Sequence, residues 1–369
     1  MTRLHNYLDA LAQYSYDPGM ASLDVGIVAY GLYLPEHFMT AAEVAAASGG
    51  QWTEAAVKDK LGFDRKTIPG PDDGTQAMGV RAALDCLRRF DYDPARIDVI
   101  LSIGEEWKEY PLTTSGIYIQ EQIGARRAWA LDLQQRCCSL IAAMKIARDM
   151  LVADPDIHSI MIAGGYRNGD FVDYQNARMS MMFNLAAGGC ALILERGAPG
   201  NHLLATQLMS DGSLARDVGC RVGGTAEPIN HANLDGAYRS LDLMNPEHMK
   251  DRLNQVSMPN WFACIDGSLG RAQLGRGDIG YLAVLHFKPS MHRAMLAELG
   301  LGDDQTTYLR DYGHIGQIDQ VLSLHLGLRA GKIKDGTVVC MVAAGIGYAW
   351  AANVIRWGTV PNAYGASLR

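Results

Sequence analysis

The sequence contains no CxxC pair, no run rich in Lys and Arg, no low-complexity tract, and no apolar core of signal-peptide length in its opening MTRLHNYLDALAQYSYDPGM. Each absence excludes a class of protein. Without CxxC spacing, and with an odd set of cysteines (86, 137, 138, 190, 220, 264 and 340), neither a disulfide scaffold nor a structural zinc site is expected. Without a basic run, and with a formal net charge of -7, nucleic acid is a poor partner. The opening residues 1–23 read as a short amphipathic arm and not as a leader. One uncharged stretch, VVCMVAAGIGYAWAANVI at 338–355, could imitate a membrane span. Its glycines divide it into two β-length runs, so a buried hairpin is expected there. The chain therefore reads as a soluble cytoplasmic protein with no metal, membrane or nucleic-acid partner.

What is present is an α/β pattern repeated twice. The length of 369 residues is comfortable for two cores. Strand-like runs at Val25–Ala29, Val99–Ile103, Trp129–Leu133, Ser159–Ala163 and Cys190–Glu195 alternate with helical stretches near 75–89, 112–124 and 139–153. The last stretch has apolar residues at 140, 141, 144, 147 and 151, a 3.6-residue stripe. In the second half IGYLAVLHF (279–287) answers IDVILSI (97–103), and TVVCMVAAG (337–345) answers HSIMIAGG (158–165). A helix at about 317–331 answers the one at 139–153. Two similar halves are expected, 24–198 and 199–369, with the boundary near RGAPGNH (196–202).

The duplication sets DLQQRCCSLI (132–141) opposite RDYGHIGQID (310–319), each just before a helix. A cysteine pair and His314 thus occupy equivalent helix starts that can face each other across the centre. A thiol at a helix N-terminus meets unpaired N–H groups and the positive end of the dipole, and both favour thiolate. Acyl chemistry on such a thiol needs a base and an oxyanion hole. His286 and His314 stand at element ends with apolar backing, and Gly345-Ile346-Gly347 can bring backbone N–H groups close.

This arrangement resembles the thiolase-fold condensing enzymes, and most closely the β-ketoacyl-ACP synthase III family, from about residue 24 onward. The family's D-x-x-x-x-C stretch matches Asp132 and Cys137, which selects Cys137 over its neighbour and leaves Cys138 as a packing residue. The His of its HQAN motif matches His286 in VLHFKP, its YGN-type motif matches Tyr312-Gly313-His314, and its C-terminal glycine triplet matches Gly345-Ile346-Gly347. Its YVQ-x-x-LGA helix matches Tyr118-Ile119-Gln120 to Gly124-Ala125. The resemblance implies a thiolase-like fold of two duplicated α/β halves in a five-layer αβαβα sandwich. It also implies a homodimer in which a loop carrying Leu112 reaches the partner's acyl pocket. Cys137 would accept an acyl group from a coenzyme A or acyl carrier protein thioester, with no bound cofactor. The amides of Cys137 and Ile346 would hold the oxyanion, Gly345 and Gly347 would contact substrate, and the two histidines would assist decarboxylative condensation with a malonyl-type thioester.

Several positions depart from the family pattern. His314 replaces Asn, HQAN has become HFKP, Cys-Ser follows the nucleophile, and GDGAGA reads NLAAGG (184–189) without its acid. The adenine-stacking tryptophan is absent, Ala56 stands there, and Trp52 lies about one helical turn earlier. The charged segment EEWKEYP (105–111) reads as a solvated loop. The leading expectation is a condensing enzyme of a specialised fatty-acid-like or polyketide pathway. The alternatives are an acyltransferase that passes its acyl group to a hydroxyl or amine, and a non-catalytic partner subunit of a ketosynthase heterodimer.

Overall fold

A computed structural model describes residues 24–237 and 239–358; the arm at 1–23 and residues 359–369 lie outside the described residues. The strands in chain order are β1 (Val25–Tyr33), β2 (His37–Thr40), β3 (Arg65–Ile68), β4 (Val99–Ser102), β5 (Trp129–Asp132), β6 (Ser159–Tyr166), β7 (Gly188–Arg196), β8 (His202–Ser210), β9 (Val218–Cys220), β10 (Leu241–Leu243), β11 (Tyr281–Val284), β12 (Val338–Gly345) and β13 (Ala349–Arg356). The main helices are α1 (Ala41–Ala47), α2 (Thr75–Arg89), α3 (Ser115–Ile123), α4 (Ser139–Ala153), α5 (Pro246–Arg271), α6 (Pro289–Leu299) and α7 (Asp319–Arg329). Nine strands run in the order β11-β12-β13-β8-β1-β7-β6-β4-β5. The two halves of that order join where Gly26 of β1 pairs with His202 of β8 and the Ile27 amide donates to the Asn201 carbonyl.

The order of layers follows from which faces are apolar. Helix α2 lies on β1, β6 and β7, with α3 beside it, and α5 covers β8 and β13 on the far side. Between the sheets run α4 and α7. Helix α4 touches β6 and β7 on one side and β8, β12 and β13 on the other. That double contact explains its sequence: Leu140, Ile141, Met144, Ala147 and Leu151 are all fully buried. Burying each large apolar side chain of this kind contributes roughly 1.5–3 kcal/mol. The result is the five-layer αβαβα sandwich of a thiolase-like fold.

The uncharged stretch at 338–355 is the expected hairpin, with β12 antiparallel to β13 from Val338↔Arg356 to Gly345↔Ala349. Among the described residues no helix is long and apolar enough to cross a membrane. The long α5 has no counterpart in the sequence reading. Pro259 lies inside it, and only Met249, Trp261, Cys264, Ile265, Ser268 and Leu269 of its residues are buried, so no continuous apolar stripe announces it.

Candidate active site

The central helices α4 and α7 each begin from a 3-10 turn, Arg136–Cys138 and Gly316–Ile318, and these two turns touch. The duplicated helix starts thus do face one another. Cys137 lies on the first turn, 6% exposed, with its Sγ 3.3 Å from His314 Nε2. The other ring nitrogen of His314, Nδ1, is 2.6 Å from Asp319 Oδ2. Asp319 is the first residue of α7 and has no exposed surface. Its Oδ1 accepts from the Ile315 amide and its Oδ2 from the His286 amide, both at 2.8 Å. A carboxylate at a helix start is favoured by the dipole and by these unpaired N–H groups. Cysteine, imidazole and carboxylate form one hydrogen-bonded chain.

Burial disfavours a charged ring at His314, but the Asp319 carboxylate and the Cys137 sulfur outweigh it and lift His314 to about 10. His286 behaves in the opposite way. Burial pushes it down to about 4, so its ring is neutral at pH 7. Its Nε2 lies 3.1 Å from the Gly62 carbonyl, which can only accept, and therefore Nε2 carries the proton. Its Nδ1 accepts from Asn184 Nδ2 at 2.9 Å. Both ring nitrogens of His286 are thus bonded to protein groups.

Cys137, His286 and His314 line one cavity of about 280 Å³, together with Tyr166, Asn184, Gly345 and Ile346. The remaining wall is largely apolar, from Leu61, Met181, Met182, Leu253, Trp261, Phe287, Met291 and Trp350. Gly345 ends β12 against the Arg136–Cys138 turn. A Cβ there would lie 3.0 Å from the Gln135 oxygen and 3.1 Å from both the Arg136 Cβ and the Cys137 nitrogen, so glycine lets the hairpin tip approach. Gly347, in the left-handed region at φ +114°, is in the same turn but not on the cavity wall. Leu112 is fully exposed at the tip of its loop, away from its own chain's cavity.

Other residues singled out in the sequence take these places. Asp132 caps α3, accepting from the amides of Ser115 and Gly116 at 2.9 and 2.8 Å. Cys138 is fully buried and donates to the Ala349 carbonyl at 3.4 Å, a packing residue as expected. Trp52 packs edge-on against Phe183, away from the cavity wall. The loop at 105–111 is solvated at Glu106 and from Glu109 to Pro111, as expected, and Glu105 is the exception. Glu105 is 3% exposed and pairs with Arg136 at 3.0 Å, and Glu109 accepts from the amides of Gln76 and Ala77 at the start of α2. The acids are ordered because each has a specific partner. Arg136 itself sits at φ +52°, in the left-handed region, one residue before Cys137. Among the described residues no group of three or more His, Cys, Asp or Glu side chains could hold a metal.

Fold and site together define a thiolase-fold protein with a buried cysteine, paired with an imidazole, at the head of a central helix. The family model for 3-oxoacyl-[acyl-carrier-protein] synthase III matches residues 131–212, and the model for the C-terminal part of the same enzymes matches 269–357. The chain belongs to the β-ketoacyl-ACP synthase III-like family. The β-ketoacyl-[acyl-carrier-protein] synthase III of Bacillus pumilus is 24% identical over 339 residues, covering 91% of this chain and all of its own. The structure of 3-oxoacyl-(acyl carrier protein) synthase III from Pseudomonas aeruginosa PAO1 matches with a TM-score of 0.78 and 20% identity, over 92% of this chain and 100% of that one. ChlB3, described as an acyltransferase, matches with a TM-score of 0.74 and 23% identity, over 93% of this chain and 100% of its own.

Proposed function

We propose that this protein is a thioester-dependent acyltransferase that loads an acyl group on Cys137 and passes it to a hydroxyl or amine. The observation that carries the reading is the Cys137–His314–Asp319 chain, at 3.3 and 2.6 Å, beside a His286 whose two nitrogens already serve the protein. In the first half-reaction His314 already holds the proton of the Cys137–His314 pair, and Cys137 Sγ attacks the thioester carbonyl as the thiolate. The amide N–H groups of Cys137 and Ile346 hold the oxyanion, and the carrier thiolate leaves with the proton from His314. Acylation removes negative charge from the sulfur, one of the two groups that hold His314 up. Burial then counts for more and the pKa of the ring falls, so once His314 has given up its proton it stays neutral, with Nε2 free to accept. In the second half-reaction it takes the proton of the hydroxyl or amine that attacks the acyl carbon, and Cys137 leaves as the thiolate. Asp319 keeps the ring oriented throughout.

The carrier is a coenzyme A or acyl carrier protein thioester, a reading supported by the names of the relatives. A homodimer is supported by exposed Tyr110, Leu112, Ile117, Tyr118 and Trp129, grouped around the edge strand β5. Decarboxylative condensation is the second reading, favoured by the shared cavity of Cys137, His286 and His314 and by the same relatives. It requires His286 Nε2–H to leave the Gly62 carbonyl for an enolate oxygen. The deciding experiment supplies an acyl thioester with malonyl thioester in one arm and a panel of alcohols and amines in the other. An ester or amide without carbon dioxide supports transfer; carbon dioxide with a β-keto product replaces it with condensation. A chain that never acquires acyl mass would be the non-catalytic partner.

A further inference from the structure

Behind the catalytic loops, β3 carries Lys66, which is 1% exposed. Its Nζ donates to the Phe183 carbonyl at 2.8 Å, the Leu185 carbonyl at 2.7 Å and the Tyr174 hydroxyl at 2.7 Å. All three acceptors are uncharged oxygens, an expensive setting for a buried ammonium. Burial pushes Lys66 down to about 7. Either protonation state keeps the main-chain grip: a neutral amine donates to both carbonyls and accepts from the Tyr174 hydroxyl.

The two carbonyls belong to the residues on either side of Asn184, and that short segment holds both histidines. The Asn184 side chain donates to His286 Nδ1 at 2.9 Å. Its carbonyl accepts the His314 amide at 2.8 Å, and the Ala186 amide donates to the His314 carbonyl at 2.8 Å. The fit is tight on the opposite side as well, since a Cβ on Gly313 would lie 2.7 Å from the Lys66 Cβ. This segment is the NLAAGG stretch that lacks the family's acid, and the cation beneath it bonds to main chain.

We propose that Lys66 is a positioning residue that locks the segment 183–186, and through it places His314 against Cys137 and holds His286 by Asn184. The inference rests on the reading of Cys137–His314 as the reactive pair, but its test needs no thioester. Alkylation of Cys137 by iodoacetamide, followed by intact mass with peptide mapping, reads the thiol–imidazole pair directly. Lys66→Met is expected to slow alkylation by about tenfold or more, because displacements on the ångström scale between paired groups have effects of that order or larger. Tyr174→Phe removes the side-chain acceptor and leaves both carbonyl bonds, so its rate stays within about twofold of wild type. If Lys66→Met does not fold, Lys66→Gln, which keeps an N–H donor, is measured in the same way. A folded Lys66 variant with the wild-type alkylation rate overturns the proposal. So does failure of both variants to fold, since Lys66 would then be a folding residue. Absence of acyl transfer in the wild type, with the alkylation difference intact, would instead refute the acyltransferase reading alone.

Discussion

Asp319→Asn is the substitution whose consequence the geometry specifies most fully. The carboxylate accepts from the amides of Ile315 and His286 and holds His314 Nδ1. Asparagine keeps one oxygen and turns an NH₂ toward groups that themselves donate, so at least one buried donor loses its acceptor. That costs about 1–3 kcal/mol, a lowered Tm in a protein that still folds. The electrostatic consequence is larger. With the carboxylate in place His314 rises from 6.5 to about 10 against the opposing effect of burial. At about 1.4 kcal/mol per pH unit, this is on the order of 5 kcal/mol in favour of the imidazolium. Without the carboxylate, burial dominates and the pKa of His314 drops sharply. The thiol then lacks both its oriented base and its cation, and acylation slows by roughly 10²–10⁴-fold, the range typical of losing the carboxylate of such a triad. The assay is single-turnover formation of acyl-Cys137 by intact mass, across pH 6 to 10. A folded Asp319→Asn protein that acylates within about threefold of wild type, with an unchanged pH profile, would refute the triad.

Three further outcomes follow from the same contacts. Because the folded-state pKa of His314 lies above its unfolded value of 6.5, its stabilisation is fully present below pH 6.5 and is lost as pH rises through about 10. His286 and His292 are held down at about 4, so theirs is present above pH 6.5 and is lost as pH falls through about 4; Tm should decline on both flanks, with His286→Gln flattening the acid side. Cys138→Ala should cost about 1–2 kcal/mol in denaturant titration and leave acylation intact, since its thiol only packs and bonds to the Ala349 carbonyl. Trp129→Glu, on the exposed edge strand, should shift the chain toward monomer in sedimentation; an unchanged state would move the dimer face elsewhere.

Legibility of the site in the sequence follows the kind of signal each residue leaves. The spans of α2 and α4 were readable because apolar periodicity ends where the helices end. The cysteine pair and His314 stand out because duplication sets them at equivalent helix starts, and the D-x-x-x-x-C spacing shared with the resembling family singles out Cys137. Asp319 left no comparable mark: an acid in the first turn of a helix is ordinary, and only the fold shows that its carboxylate faces His314 and not solvent. Glu105 looked like part of a solvated charge run until Arg136, thirty-one residues later in the chain, supplied its partner. Lys66 sits on a four-residue strand beside Arg65, and nothing local distinguishes the buried cation from the exposed one. His286 lines the cavity, yet the bonds that occupy its ring come from Gly62 and Asn184, distant segments that no spacing connects.

The most direct test of the central claim is the position of the acyl group. Wild-type protein is incubated with a mixed panel of coenzyme A and carrier-protein thioesters and analysed by intact mass, followed by peptide mapping. One acyl group per chain is predicted, on Cys137 and absent from Cys137→Ala, with Cys138 unmodified in both. Acyl mass on Cys138 or elsewhere, or no acyl mass with any thioester, would contradict the account.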